Sequence, residues 1–147
     1  MLFISPVVAA SATPSAVSAM PPLSARAVRI LDGDTFAAVV HMESGANVSV
    51  NVRIRNIDAP EIHGACEYES KWAEKSKNRL AELLPQGTEM ILIDIKDDKY
   101  LKRIDARVRL NGKDIGDIMI KENMAVPYNG GRRKGWCQNF ETKGETK

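Results

Sequence analysis

The sequence predicts an α+β fold, mainly β: a five-stranded barrel of the OB type, with a helix after the third strand and a short helix near the C-terminus. Two observations carry this reading. Three short runs of strand-like apolar pattern are followed by one long segment with a 3.6-residue period, and two more short runs come after it. Turn signals at Asp32-Gly33-Asp34, Pro85-Gln86-Gly87 and Asn111-Gly112 punctuate these runs where the chain must reverse or change period.

Taken in order, "ARAVRIL" (25–31) reads as the first strand, "DGD" as a turn and "TFAAVVHM" (35–42) as a second strand returning beside it. "ESGAN" is a loop. In the third strand Val48, Val50, Val52, Ile54 and Ile57 are apolar, while Ser49, Asn51, Arg53 and Arg55 are polar. Asp58-Ala59-Pro60-Glu61 stops it, because proline cannot donate to a ladder and restricts the residue before it. From Glu67 the period lengthens: Tyr68, Trp72, Ala73, Leu80, Leu83 and Leu84 share a helical face until Pro85. "TEMILIDI" (88–95) and "RIDARVRL" (103–110) are strands four and five. Ile115, Ile118 and Met119 define the shorter helix, which ends near Asn123.

Composition limits the function classes. A chain of 147 residues with 44% hydrophobic content holds one domain with a real core. The net charge of +2 permits an anionic partner without demanding one, so any basic site must be argued locally. Residues 1–24 carry no charge and are rich in Ala, Ser and Pro. Their apolar part is too short and too broken to span a bilayer as a helix. The expectation is an export leader, periplasmic or secreted, although a basic n-region is missing; the alternative is a disordered leader on a cytoplasmic protein. The domain then occupies 25–138, with a flexible tail at 139–147.

Polar chemistry concentrates at three places: "DGDT" (32–35), "RIRNIDAPE" (53–61) and "DDKYLKR" (97–103). By strand alternation Arg53 and Arg55 point to the same groove. Asp34 and Asp58, each at a strand end, offer hard oxygen ligands, although either alone reads as an ordinary turn former. Cys66 and Cys137 either bridge most of the domain or are two unrelated buried thiols; two is the minimum even count. His63-x-x-Cys66 resembles half a zinc site, but with only His41 and Cys137 as further soft ligands it finds no paired partner spacing.

"ILDGDTF", then "VRIRNIDAPE", an amphipathic helix and a basic "DKY…R" segment before a strand together resemble the staphylococcal nuclease (thermonuclease) family, over about residues 26 to 128. The set in this order is specific, whereas Asp-Gly-Asp-Thr alone is not. "VPYNGGRRKGWC" and "IHGACE" further resemble an exported proteobacterial branch, which implies both a leader and a Cys66–Cys137 disulfide. The resemblance implies a calcium (Ca2+) site at Asp34, Asp58 and the Ala59 carbonyl. It implies catalytic roles for Arg53, Glu61 and a second arginine, and substrate contacts at Lys99, Tyr100 and Tyr128. One departure bears on the second arginine. The family reads Asp-Lys-Tyr-Gly-Arg, whereas this chain has Asp98-Lys99-Tyr100-Leu101-Lys102-Arg103, one residue longer and without glycine. Counting forward from Tyr100 selects Lys102, and counting back from Ala106 selects Arg103. Arg103 is preferred because strand register is harder to shift than a loop is to lengthen.

The chemistry agrees with what the resemblance implies. A phosphodiester repels nucleophiles and gathers more charge in its transition state, so a catalyst needs a cation and fixed donors around one phosphate. Arginine supplies a planar, permanently charged fork, and Glu61 can accept a proton from water or orient it. The expected activity is calcium-dependent hydrolysis of DNA and RNA, leaving 3′-phosphates, by a monomer with a preference for single strands and no base-specific reading. The rival is an OB module that only holds nucleic acid or protein; it predicts gaps among Asp34, Arg53, Asp58, Glu61 and an arginine near 103, and none is missing.

Overall fold

The computed structural model describes Phe3 and residues 20–97, 102–131 and 135–137. Five strands carry the architecture: β1 (Leu23–Asp32), β2 (Thr35–His41), β3 (Asn47–Ile54), β5 (Glu89–Asp97) and β6 (Arg103–Leu110). Two-residue strands β4 (Ile57–Asp58), β7 (Lys113–Asp114) and β8 (Val126–Pro127) and helices α1 (Glu67–Leu83) and α2 (Ile115–Lys121) complete it. The order β3-β2-β1-β5-β6 is closed by a parallel pairing of β3 with β6, which sets Asn51 opposite Arg103 and Ile54 opposite Ala106. This is a closed five-stranded barrel of the OB type with two helices, and closure leaves its long strands no continuous open edge.

Inward positions of the strands fill it. Phe36, Val52, Ile54, Leu92 and Val108 are fully buried, and Leu80 from α1, Leu84 just after it, and Ile115 and Met119 from α2 join the same cluster. Small residues matter where strands bend: Ala27 sits beside a β1 bulge, and its amide and carbonyl bond to the turn at Gly87–Thr88. Gly87 has φ +89°, a conformation in which a Cβ would be strained, and it ends the link from α1 to β5. Asn111 and Gly112, both at positive φ, form the hairpin turn from β6 to β7. Among the described residues no helix is long and apolar enough to cross a membrane.

Two boundaries and one helix face differ from the sequence reading. The third strand ends at Ile54, not Ile57. Asn56 adopts φ +70° and turns the chain, so that Ile57 is buried as part of β4, which pairs with β8. On α1 the ridge facing the core is Glu69, Ala73, Ser76 and Leu80. Tyr68 and Trp72 lie half-buried on its flank, stacked at 5.9 Å, and Trp72 Nε1 donates to the Asn123 carbonyl. β1 begins at Leu23, two residues inside the segment read as leader, because Leu23 is buried opposite Leu92. Apart from Phe3, the chain before residue 20 lies outside the described residues, as does the tail at 139–147.

Cys66 and Cys137 are joined by a disulfide across 71 residues, with Cα atoms 6.1 Å apart. It ties the residue that opens α1 to the chain beyond β8. Loop-closure entropy for a span of this length stabilises the fold by about 4 kcal/mol. Cys66→Ser is therefore expected to lower the unfolding free energy by up to about that amount in denaturant titrations. The oxidised wild type should also run faster than the reduced protein on a denaturing gel.

Candidate active site

The turn between β1 and β2 is seated unusually close to the rest of the molecule. A Cβ on Gly33 would stand 2.8 Å from Ser76 Cβ and 2.9 Å from Ala59 Cβ, so only glycine fits. Ser76 cannot easily give way, because its Oγ donates to the Met124 carbonyl at 2.6 Å. This contact brings Asp34 to the segment after β4. Asp34 Oδ2 accepts from the Ala59 amide at 3.0 Å, and Oδ1 accepts from Thr35 Oγ1 at 2.9 Å. Asp58, beside Ala59, is 2% exposed, and Asp34 is 8% exposed. Two carboxylates from distant parts of the sequence thus share one buried wall.

Arg53, near the end of β3, faces that wall. Its guanidinium donates to the carbonyls of Ile54 at 2.9 Å and Ile57 at 3.2 Å, which fixes it on the turn made by Asn56. Nη2 lies 3.7 Å from Asp34 Oδ2 and 3.9 Å from Asp58 Oδ1, close enough for attraction but too far for hydrogen bonds. The Tyr128 ring stands 5.8 Å from the same guanidinium, and the Tyr128 hydroxyl donates to the Gly131 carbonyl. That hydroxyl is therefore spent inside the chain, and Tyr128 offers a ring face. β8 brings it there: the Tyr128 amide bonds to the Asn56 carbonyl.

These groups line one cavity of about 410 Å³. Its walls include Asp34, Arg53, Asp58, Ala59, Glu61, Arg103 and Tyr128, seven of the residues singled out from the sequence. Lys99 and Tyr100 lie outside the described residues. Lys102, with φ +62°, is exposed and borders a separate depression beside Val28, Ser49 and Asn51; its carbonyl accepts from the Asn51 amide. Arg103 enters the cavity because the parallel pairing fixes the start of β6 against Asn51. Arg55 does not line that cavity. It donates to the Asp94 carbonyl and, together with Arg53, Arg103, Tyr128 and Lys96, lines an adjoining cleft, so the two arginines share a groove beside the acidic wall.

Asp32 was missed in the sequence, where it reads as half of a turn. It lines the same cavity, and Asp34 donates its amide to Asp32 Oδ1 at 3.1 Å. Burial, followed by the neighbouring Asp34, pushes its carboxyl up to about 7. The signal available in advance was two acids separated by a single glycine at a strand end. Such a pair must share one local environment.

Residues 51–142 match the family described as "Staphylococcal nuclease homologue", more than half of the chain. The chain belongs to this family. The matched stretch holds Arg53, Asp58, Glu61, Arg103 and Tyr128, whereas Asp34 precedes it and takes its place in the cavity from the geometry above. A protein of Haemophilus influenzae named "Uncharacterized endonuclease" is 33% identical over 103 residues, which is 70% of this chain. The chain spans about half, 51%, of the length of that relative.

Carboxylate oxygens of Asp34 and Asp58 on one wall, with the Ala59 backbone adjacent and Asp32 close by, are donors of the hard oxygen type that a divalent cation takes. Among the described residues no group of three or more His, Cys, Asp or Glu is arranged to hold a metal ion, so the pair would share a cation with backbone, water or substrate oxygens. A zinc site on His63 and Cys66 is not open, since Cys66 gives its sulfur to the disulfide.

The raised Asp32 carboxyl has a definite sign. Between the ordinary value of 3.8 and about 7 the folded state keeps a proton that the unfolded chain has lost, so cation-free protein should lose stability as pH rises through that window. Melting temperature measured against pH in chelator should show this decline, and Asp32→Asn should flatten it.

Proposed function

We propose that this chain is an exported, calcium-dependent phosphodiesterase that hydrolyses DNA and RNA without strong sequence preference, favouring single strands and acting as a monomer. The observation that carries the proposal is the convergence, in a member of this family, of two arginines and four carboxylates from separate segments on one cavity. An excess of acid alone would repel a phosphodiester. Two guanidinium groups across from it make an anion welcome, provided that a cation occupies the acidic wall.

Asp34, Asp58 and the Ala59 carbonyl would hold calcium, which supplies charge to a phosphate oxygen as negative charge grows in the transition state. Arg53, pinned on two carbonyls, presents its remaining N–H donors without having to reorganise. Arg103 approaches from β6 on another wall and gives a second fork. Glu61, exposed at the cavity rim, accepts the proton of the attacking water or orients it. The leaving oxygen is the 5′ oxygen in this scheme, so 3′-phosphates result. Tyr128 offers a ring face to a base or sugar, which every nucleotide can use, in keeping with weak sequence preference. Export is supported by the uncharged Ala/Ser/Pro leader and by a disulfide, which persists in oxidising compartments.

A zymogram on denatured DNA and on RNA, run with calcium and with EGTA, tests the reading: clearing should require calcium, and magnesium should restore little of it, because the paired carboxylates make a flexible oxygen cage. Clearing in excess EGTA would remove the metal from the mechanism, and no clearing in calcium would leave a binding module. The two basic residues at the start of β6 separate cleanly. Arg103→Lys should cost about 10²–10³ in kcat with a smaller change in KM, since it loses a bidentate contact that strengthens in the transition state. Lys102→Ala should weaken binding modestly, and less so as salt rises. Steady-state kinetics on one single-stranded substrate checks both, and a reversed pattern would assign the second fork to Lys102.

A further inference from the structure

The segment that carries Glu61 is held at both ends. On one side Ala59 donates to Asp34 and Pro60 is fully buried. On the other side the Ala65 amide donates to Glu69 Oε2 at 2.9 Å. Glu69 is only 8% exposed, an unusual degree of burial for a carboxylate. It occupies the third position of α1, where an acid can reach back to the chain before the helix. Cys66 opens α1 but makes no side-chain cap, since its sulfur is in the disulfide. Gly64 shows how closely the loop lies on Glu69: a Cβ there would stand 2.6 Å from Glu69 Cγ and 2.7 Å from Glu69 Cβ. Between the two clamps the chain has little slack, and Glu61 stands within it at the cavity rim.

We propose that Glu69 is a positioning residue for Glu61: its buried carboxylate, bonded to the Ala65 amide and packed on Gly64, fixes the far end of the loop and so the placing of the Glu61 carboxylate against the attacking water. The inference rests on the nuclease reading above. A helix cap alone would contribute stability and nothing more. The loop between the clamps makes the difference, because releasing one end lets Glu61 sample positions that no longer meet the water and phosphate together. The consequence falls on the chemical step and not on substrate binding, which rests on the arginines and the acidic wall.

The test compares Glu69→Ala, Glu69→Gln and Gly64→Ala in the full, oxidised chain. Glu69→Gln keeps an acceptor for the Ala65 amide and should keep most of kcat. Glu69→Ala should lose about tenfold in kcat with KM within about twofold, assayed well below its melting temperature. Gly64→Ala, which pushes the loop off Glu69 while leaving the carboxylate in place, should fall in the same direction. Hydrogen exchange at the Ala65 amide should quicken in Glu69→Ala and Gly64→Ala and not in Glu69→Gln. An unchanged kcat in Glu69→Ala, or an equal loss in Glu69→Gln, overturns the proposal. Inactive wild type with slow exchange at Ala65 would instead count against the nuclease reading, since the clamp would be present without a reaction to serve.

Discussion

One cross-tie holds the site together: the Asp34 carboxylate accepting the Ala59 amide across 25 residues. It joins the β1–β2 turn to the segment that leaves β4, and it exists only because Gly33 has no side chain to strike Ser76 and Ala59. A charged hydrogen bond of this kind stabilises by about 1.5–3 kcal/mol, against the cost of withdrawing the carboxylate from water. The bond therefore does little for the stability of the barrel, which the closed ladder and the apolar interior supply. What it does is hold Asp34 beside Asp58, where two acids would otherwise repel. Beside this pair, Asp32 is raised first by its own burial and then by its neighbour Asp34.

How much of this could be read in advance depends on the range of the interactions. The five strands and both helices follow local period and turn chemistry, so they were legible. Ile57 was not: it was read as the end of β3 although the alternation breaks at Asn56, and Asn56 takes a left-handed turn that puts Ile57 into the pairing of β4 with β8. Tyr68 and Trp72 misled in a similar way. A bulky aromatic residue on a helix suggests the core face, yet here the buried ridge is Glu69, Ala73, Ser76 and Leu80, with Ser76 tight against Gly33, and the large rings lie on the flank. Asp34, Arg53, Asp58, Glu61 and Arg103 were legible through resemblance to a family and through the chemistry of phosphate. Asp32 needed three dimensions, since its burial comes from walls supplied by other segments.

The register at Arg103 shows why barrel closure matters more than loop length. Counting residues along "DKYLKR" cannot choose between Lys102 and Arg103. The parallel pairing of β3 and β6 sets Ile54 opposite Ala106, Val52 opposite Ile104 and Arg103 opposite Asn51, which brings Arg103 to the cavity wall. A one-residue slip would turn Ala106 and Val108, both fully buried, out of the core. Lys102, just before the strand, takes a left-handed conformation, and Arg103 opens β6.

Arg53 is anchored on backbone beside the acids. Of the five N–H donors on a guanidinium, two bond the carbonyls of Ile54 and Ile57, which anchors the group on the turn rather than on the acids. Its contacts with Asp34 and Asp58, at 3.7 and 3.9 Å, remain electrostatic. A guanidinium committed to a tight bidentate pair with either acid would have to break that pair before meeting a phosphate, and the acid would have to give up its partner before meeting a cation. Anchoring on backbone avoids both costs. In the mechanism proposed above, the arginine would lower the repulsion between the acids and would need no reorientation to meet a phosphate. The turn at Asn56, which broke the strand expected there, is what provides those two carbonyls, so the departure from regular β structure is the feature that sets the arginine for its work.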